Sequence, residues 1–231
     1  MTFADFRPRA VVFDLDGTLV DNLHLHAEAF TRFAIRHGLP PVPIDDRARL
    51  NGKRNSEIFP VLFRRQLSEA EWQAFEDEKE ADYRDLSAGR LGPAPGLLRL
   101  LDALDVKRIP YAVATSAPAD NVTHTLAEIG LATRLRVVVR GDQVPRGKPF
   151  PDVFLAAAAA LGVEPADCLA FEDAPAGVEA AIGAGMRCVG IARGELAGHL
   201  TAGTVTPELV VSSFDEFLDV AGRWLGEDAL R

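Results

Sequence analysis

The sequence predicts an α/β fold: a Rossmann-like, doubly wound parallel sheet with a small all-helical domain inserted after the first strand. Three observations predict it. "AVVFDLDG" (Ala10 to Gly17) is an apolar run of the kind found in a strand buried on both faces, and it ends in two carboxylates and a glycine. From residue 97 onward, strand-like runs alternate with helix-like segments. Between residues 24 and 90 only helical spacing occurs.

The elements follow in order. "RAVVFDLD" is the first strand. "HLHAEAFTRFAIRHG" has helical spacing and stops at Gly38. "NSEIFPVLFRRQ" and "SEAEWQAFEDEKEADYRDL" continue the helical pattern, and Ser68 with Glu71 forms a capping box for the second. "LGPAPG" (Leu91 to Gly96) is a hinge of prolines and glycines. "LLRLLDALDVKR" is then a helix, "IPYAVATS" a strand, "DNVTHTLAEIG" a helix and "LRVVVRG" a strand. "PDVFLAAAAALG" is a helix stopped by Gly162, with Asp152 near its start, and "CLAFED" is a strand. "APAGVEAAIGAG" is a helix, "RCVGIAR" and "ELVVSS" are strands, and "FDEFLDVAGRWLG" is a final helix. The core is expected in 1–22 and 93–231, and the helical cap in 23–92.

The chain has 231 residues, of which 48% are hydrophobic, enough for one large domain or a core with a small insert. Its net charge of −9 argues against nucleic acid or an anionic membrane as partner. A phosphorylated small molecule is not excluded, because a site can be locally positive in an acidic protein. "MTFADFRPRA" lacks an apolar signal core, and the longest apolar run, around "VFLAAAAAL", is far short of a bilayer span. Two cysteines make no disulfide framework, so Cys168 and Cys188 read as core residues of a cytoplasmic protein. Trp72 and Trp224 also read as core. A monomer or weak homodimer is expected.

In an open α/β sheet, ligands bind beyond the carboxyl ends of the strands. Those ends carry Asp14 and Asp16, then Thr115 and Ser116, then Lys148, then Glu172 and Asp173. Each group has an ordinary structural use: a turn, a helix cap, a surface lysine. All four together at one rim suit phosphoryl transfer. A carboxylate can attack phosphorus, and clustered carboxylates call for a hard cation such as Mg²⁺. A hydroxyl, a backbone N–H and an ammonium can hold phosphoryl oxygens. A second carboxylate can protonate the leaving oxygen and then activate water.

"DLDGTLVD", "VATSAP", "GKPFPDVF" and "FEDAPAGVEAA" resemble the four motifs of the haloacid dehalogenase superfamily, in the subfamily with a helical cap after the first motif. The resemblance covers nearly the whole chain. It implies Asp14 as nucleophile and Asp16 as general acid and base, with Thr115, Ser116 and Lys148 binding the phosphoryl group. It further implies Mg²⁺ held by Asp14, by the backbone carbonyl of Asp16, and by the pair Glu172 and Asp173, chiefly Asp173. Dehalogenases lack the second aspartate, so Asp16 favours phosphate chemistry.

Within this subfamily the relatives divide into phosphatases and β-phosphoglucomutases. His26 and Lys79 match mutase cap residues. At two further positions the mutases carry an arginine and a lysine, whereas this chain has Asn55 and Pro118, although Lys53 and Arg54 are adjacent. Of His24 and His26, only one is expected to face the site. The expectation is therefore an Mg²⁺-dependent phosphatase of a small phosphorylated metabolite, such as a sugar phosphate, with a phosphosugar mutase as alternative. A non-enzymatic phospho-acceptor module would lack the cap. A glycosyltransferase using D-x-D would leave Thr115 and Lys148 unexplained.

Overall fold

A computed structural model describes residues 6–193, 198–201, 205–221 and 225. The first apolar run forms β1 (Ala10–Phe13), with every residue buried. The other strands are β2 (Tyr111–Thr115), β3 (Val138–Arg140), β4 (Cys168–Glu172), β5 (Arg187–Ile191) and β6 (Leu209–Val211). They form one sheet in the order β3-β2-β1-β4-β5-β6, and every pairing is parallel. This is the doubly wound order, whose ligand crevice opens where the direction of winding reverses.

Alternate residues of each strand serve opposite layers. Val11 and Phe13 pack with helices α5 (Leu97–Lys107), α6 (Ala119–Glu128) and α9 (Phe214–Ala221). Ala10 and Val12 pack with α7 (Asp152–Leu161) and α8 (Pro175–Gly183). In the second layer, small strand residues such as Ala112, Ala114 and Ala170 meet the alanine-rich faces of α7 and α8. Cys168 and Cys188 belong to this layer, and burial pushes both thiols up, Cys168 to about 11. They are core residues, as expected.

Between β1 and α5 lie α1 (Leu23–Arg36), α2 (Ile44–Leu50), α3 (Asn55–Phe63) and α4 (Glu69–Ser87). Phe33 anchors this cap, with ring centroids 5.1 Å from Phe59 and 5.6 Å from Phe75. Ser68 caps α4 as expected: its Oγ accepts from the Glu71 N–H at 3.4 Å, and Glu71 Oε2 accepts from the Ser68 N–H at 2.9 Å. Val20 bridges to Pro93, and the Ala94 N–H donates to the Leu19 carbonyl at 2.9 Å. We propose this side-by-side crossing as the boundary between core and cap.

Several expectations are corrected. The short helix α2 was not expected, because "IDDRARL" is polar and follows three prolines. Asp45 and Asp46 in its first turn suit the positive helix end. The β3 strand is shorter than "LRVVVRG": residues 135–137 are irregular, after a turn at 132–134, and Gly141 begins a short 3-10 helix. Trp72 is only half-buried. Trp224 and most of the expected continuation of α9 lie outside the described residues. Among the described residues, no helix is long and apolar enough to cross a membrane.

Candidate active site

The parallel register sets Phe13 opposite both Val113 and Phe171. Asp14, Thr115 and Glu172 therefore emerge at the same edge of the sheet. Lys148 arrives from the loop before α7 and is 1% exposed. Its Nζ donates to Asp14 Oδ1 at 2.5 Å, to Glu172 Oε1 at 2.7 Å and to the Ala114 carbonyl at 3.1 Å. Three acceptors satisfy its three donors. Burial alone would lower the lysine, but the charges of Asp14 and Glu172 outweigh it and hold the ammonium above its ordinary value.

Glu172 is fully buried and acts through position. Its Oε2 accepts the N–H groups of Asp173 at 2.8 Å and Ala174 at 2.9 Å, which fixes the loop into α8. A side chain at Gly177 would collide with it, since a Cβ there would lie 1.7 Å from Glu172 Oε1. Asp173 accepts from Thr18 Oγ1 at 3.4 Å and from Asn51 Nδ2 at 3.1 Å. Burial pushes the Asp14 carboxyl well above its ordinary value, with Lys148 opposing. Burial and the neighbouring Glu172 push Asp173 up to about 8.

One carboxylate oxygen from each of Asp14, Glu172 and Asp173 lies within 4.8 Å of the other two, and all three residues are buried. Three carboxyl groups share the single ammonium of Lys148, and the upward push on Asp14 and Asp173 marks a site short of positive charge. An all-oxygen donor set of this kind fits a hard dication such as Mg²⁺. The Asp16 carboxylate is not in that cluster, so any share of Asp16 in a metal site falls to its backbone carbonyl.

Asp16 instead faces the start of the cap. Its Oδ1 accepts from Asn22 Nδ2 at 2.6 Å and lies 3.5 Å from His26 Nε2. Burial opposes ionisation of Asp16, but His26, Asn22 and Lys79 together hold its carboxyl below the usual range. Asn22 Oδ1 also accepts from the Gly17 N–H at 3.0 Å, so one amide shapes the turn after Asp16. Gly17 has φ +84°, a conformation glycine adopts without strain.

A cavity of about 780 Å³ lies between core and cap and is bordered on the core side by Asp14, Asp16, Thr115 and Ser116. Thr115 is buried, and its Oγ1 accepts from the Ala117 N–H at 3.0 Å. Ser116 Oγ donates to the Gly52 carbonyl of the cap at 2.6 Å. The cap residues divide. His26 borders the cavity and stacks on Tyr83 at 3.8 Å, while its Nδ1 meets Lys79 Nζ at 2.9 Å. Lys79 is 2% exposed and also pairs with Glu80 at 2.9 Å, so it is not part of a solvated helix face. Asn55 borders the cavity, but its amide donates to Glu76 at 2.9 Å and Glu80 at 2.7 Å. Lys53 borders the cavity. Arg54 turns aside to Glu57 at 3.0 Å and to the Gly141 carbonyl at 3.4 Å. His24 also borders the cavity, against the expectation that one histidine alone would face it; it sits at the exposed start of α1.

Sequence reasoning missed Asn22, Asn51, Glu80 and Arg193. Arg193 NH2 donates to the Thr18 carbonyl at 2.6 Å, behind the Thr18–Asp173 contact. The only signal for the two asparagines was a place beside a glycine turn or a helix start.

The sequence matches the haloacid dehalogenase-like hydrolase family over residues 11–191. It is 37% identical to a validoxylamine A 7'-phosphate phosphatase of Streptomyces hygroscopicus, over 79% of this chain and 85% of that one. It is 33% identical to a phosphorylated carbohydrates phosphatase of Thermotoga maritima, over 90% and 99%. It is 35% identical to a β-phosphoglucomutase of Bacillus subtilis, over 81% and 84%. Among solved structures, a HAD hydrolase of family IA, variant 3, from Entamoeba histolytica superposes with a TM-score of 0.81 at 28% identity, covering 96% of this chain and 98% of that one.

Proposed function

The chain belongs to the haloacid dehalogenase-like hydrolase family, and on that premise we propose that it is an Mg²⁺-dependent phosphatase of a small phosphorylated metabolite, acting through an aspartyl-phosphate on Asp14. The observation that carries the reading is the buried Asp14 carboxylate, 2.5 Å from Lys148 Nζ on the floor of a cavity that Asp16 also borders. Asp14 attacks phosphorus, and Thr115 Oγ1, the Ser116 N–H and Lys148 Nζ take the phosphoryl oxygens. Asp16 gives a proton to the leaving oxygen and then accepts one from the water that hydrolyses the intermediate. Its contact with His26 favours the ionised form that the second step requires. Asp14, Asp173 and the Asp16 carbonyl would hold Mg²⁺, with Glu172 fixing their loop. The bound ion would neutralise charge on the phosphoryl group.

A mutase must grip a second phosphate far from Asp14. Here Lys79 and Asn55 are bound to Glu80, Arg54 is turned to Glu57, and Pro118 offers no donor. Two relatives named as phosphatases, one of them of phosphorylated carbohydrates, add support. The relative named as a mutase keeps the second reading in view. The test incubates the protein with Mg²⁺ and a panel of sugar and polyol phosphates. In parallel it receives β-glucose 1-phosphate with a trace of glucose 1,6-bisphosphate. Phosphate release without isomerisation is expected; glucose 6-phosphate formation without phosphate release would make it a mutase.

A further inference from the structure

The cavity changes character along its length. Helices α1 and α3 both begin at the catalytic end and run away from it. On α1, His26 lies beside Asp16, and the same side continues through Ala27, Phe30 and Ala34, all bordering the cavity. At a rise of about 1.5 Å per residue, Ala34 is about 12 Å beyond His26 along the helix axis. On α3, Asn55 borders the polar end, and Ile58 and Leu62 follow one and two turns later. Leu50, Val42, Thr31 and Arg47 border the same cavity. Lys79 Nζ sits 4.3 Å above the Phe30 ring, so the polar and apolar lining meet there.

Resting on the phosphatase reading, we propose that the substrate is an amphipathic phosphomonoester. Its hydroxylated part lies by Asp16, His26 and Lys79, and an aryl or alkyl group fills the apolar arm between α1 and α3. Two observations favour this occupant. The arm opens into the same cavity as Asp14 and Asp16, so a group joined to the phosphate can reach it. The cavity as a whole, about 780 Å³, also lies within the roughly 300–1,000 Å³ of sites that enclose drug-sized ligands. Hydroxyls of a longer sugar placed against Ala34, Ile58 and Leu62 would lose water without gaining partners there.

The test uses three probes: glucose 6-phosphate, methyl β-glucoside 6-phosphate and phenyl β-glucoside 6-phosphate. Phosphate release gives kcat/KM with the intact protein and Mg²⁺. Calorimetry on Asp14→Asn gives affinity without turnover. Burial of the phenyl ring should favour the phenyl over the methyl ester by about tenfold or more in both measurements. Leu62→Asp should remove most of that ratio, and Leu62→Met should keep it. Equal values for the methyl and phenyl esters, or undetectable binding of both, would overturn the inference. If glucose 6-phosphate were still hydrolysed, the phosphatase reading would survive that result. Tight phenyl binding with no phosphate release from any probe would keep the arm and sink the phosphatase reading.

Discussion

Gly177→Ala opposes two physical effects of different sign. Gly177 lies inside α8, and its backbone is not in the left-handed region. Helix propensity alone therefore predicts that alanine stabilises by about 1 kcal/mol. A Cβ at this position would stand 1.7 Å from Glu172 Oε1 and 1.9 Å from its Cδ. Van der Waals contact between such atoms needs about 3.5 Å, so the carboxylate must move by well over 1 Å. That breaks its 2.7 Å bond from Lys148 and its bonds from the Asp173 and Ala174 N–H groups. Disrupting a buried ion pair of this kind costs about 3–5 kcal/mol, so the close approach wins. For a chain of this length the thermal midpoint should fall by about 10 °C. Turnover should drop with it, because Lys148 loses one of its two carboxylates. Gly183→Ala is the control on the same helix, with nothing nearer than Pro151 Cβ at 3.9 Å, and it should be neutral or slightly stabilising. A Gly177→Ala protein at least as stable as the parent, with normal turnover, would refute the role assigned to Glu172.

Asp14→Asn should abolish phosphate release while circular dichroism remains near that of the parent; the thermal midpoint should fall, because buried Lys148 loses one of its two carboxylates, and retained turnover would remove Asp14 as nucleophile. Gly17→Ala should weaken Mg²⁺ binding, measured by calorimetry, about tenfold or more. A Cβ there would lie 2.2 Å from Asp173 Oδ2, at φ +84°. The raised carboxyls give a pH signature. Asp173, pushed up to about 8, keeps in the folded state a proton that the unfolded chain releases near 4. The stability it contributes is thus present at low pH and is lost as pH rises toward 8. Without metal, the thermal midpoint should decline over that window. The stabilisation added by Mg²⁺ should grow with pH, because the ion must displace that proton. A gain from Mg²⁺ independent of pH would contradict this.

The sheet was legible because a parallel strand covered on both faces must be apolar throughout, and "AVVF" and "CLAF" are. The strand ends were legible because charged residues after such runs can only emerge at the sheet edge. The helix α2 was not, since its polar sequence gains its place by packing on α8. Cap side chains were the least legible. Lys79 stands among four acidic neighbours in the sequence, which suits a solvated face. The fold instead buries it between His26, Glu80 and Phe30. Arg54 and Lys53 are adjacent in the sequence, yet one packs on Gly141 and the other borders the cavity. Which way each points depends on how the cap meets the core, through contacts such as Ser116 to Gly52 that no local pattern encodes.

The central claim is that phosphate leaves the substrate by way of the Asp14 carboxylate. The most direct test mixes Asp16→Asn protein with Mg²⁺ and an aryl phosphate that the parent hydrolyses, whose phenolate leaves without needing a proton from Asp16, quenches in acid, and maps peptides by mass spectrometry. Loss of the Asp16 carboxylate removes the base for the second step, so the peptide containing Asp14 should carry one phosphoryl group, absent in Asp14→Asn. Phosphate release by the parent with no phosphorylated peptide in Asp16→Asn, or with the phosphoryl group on another residue, would contradict the account.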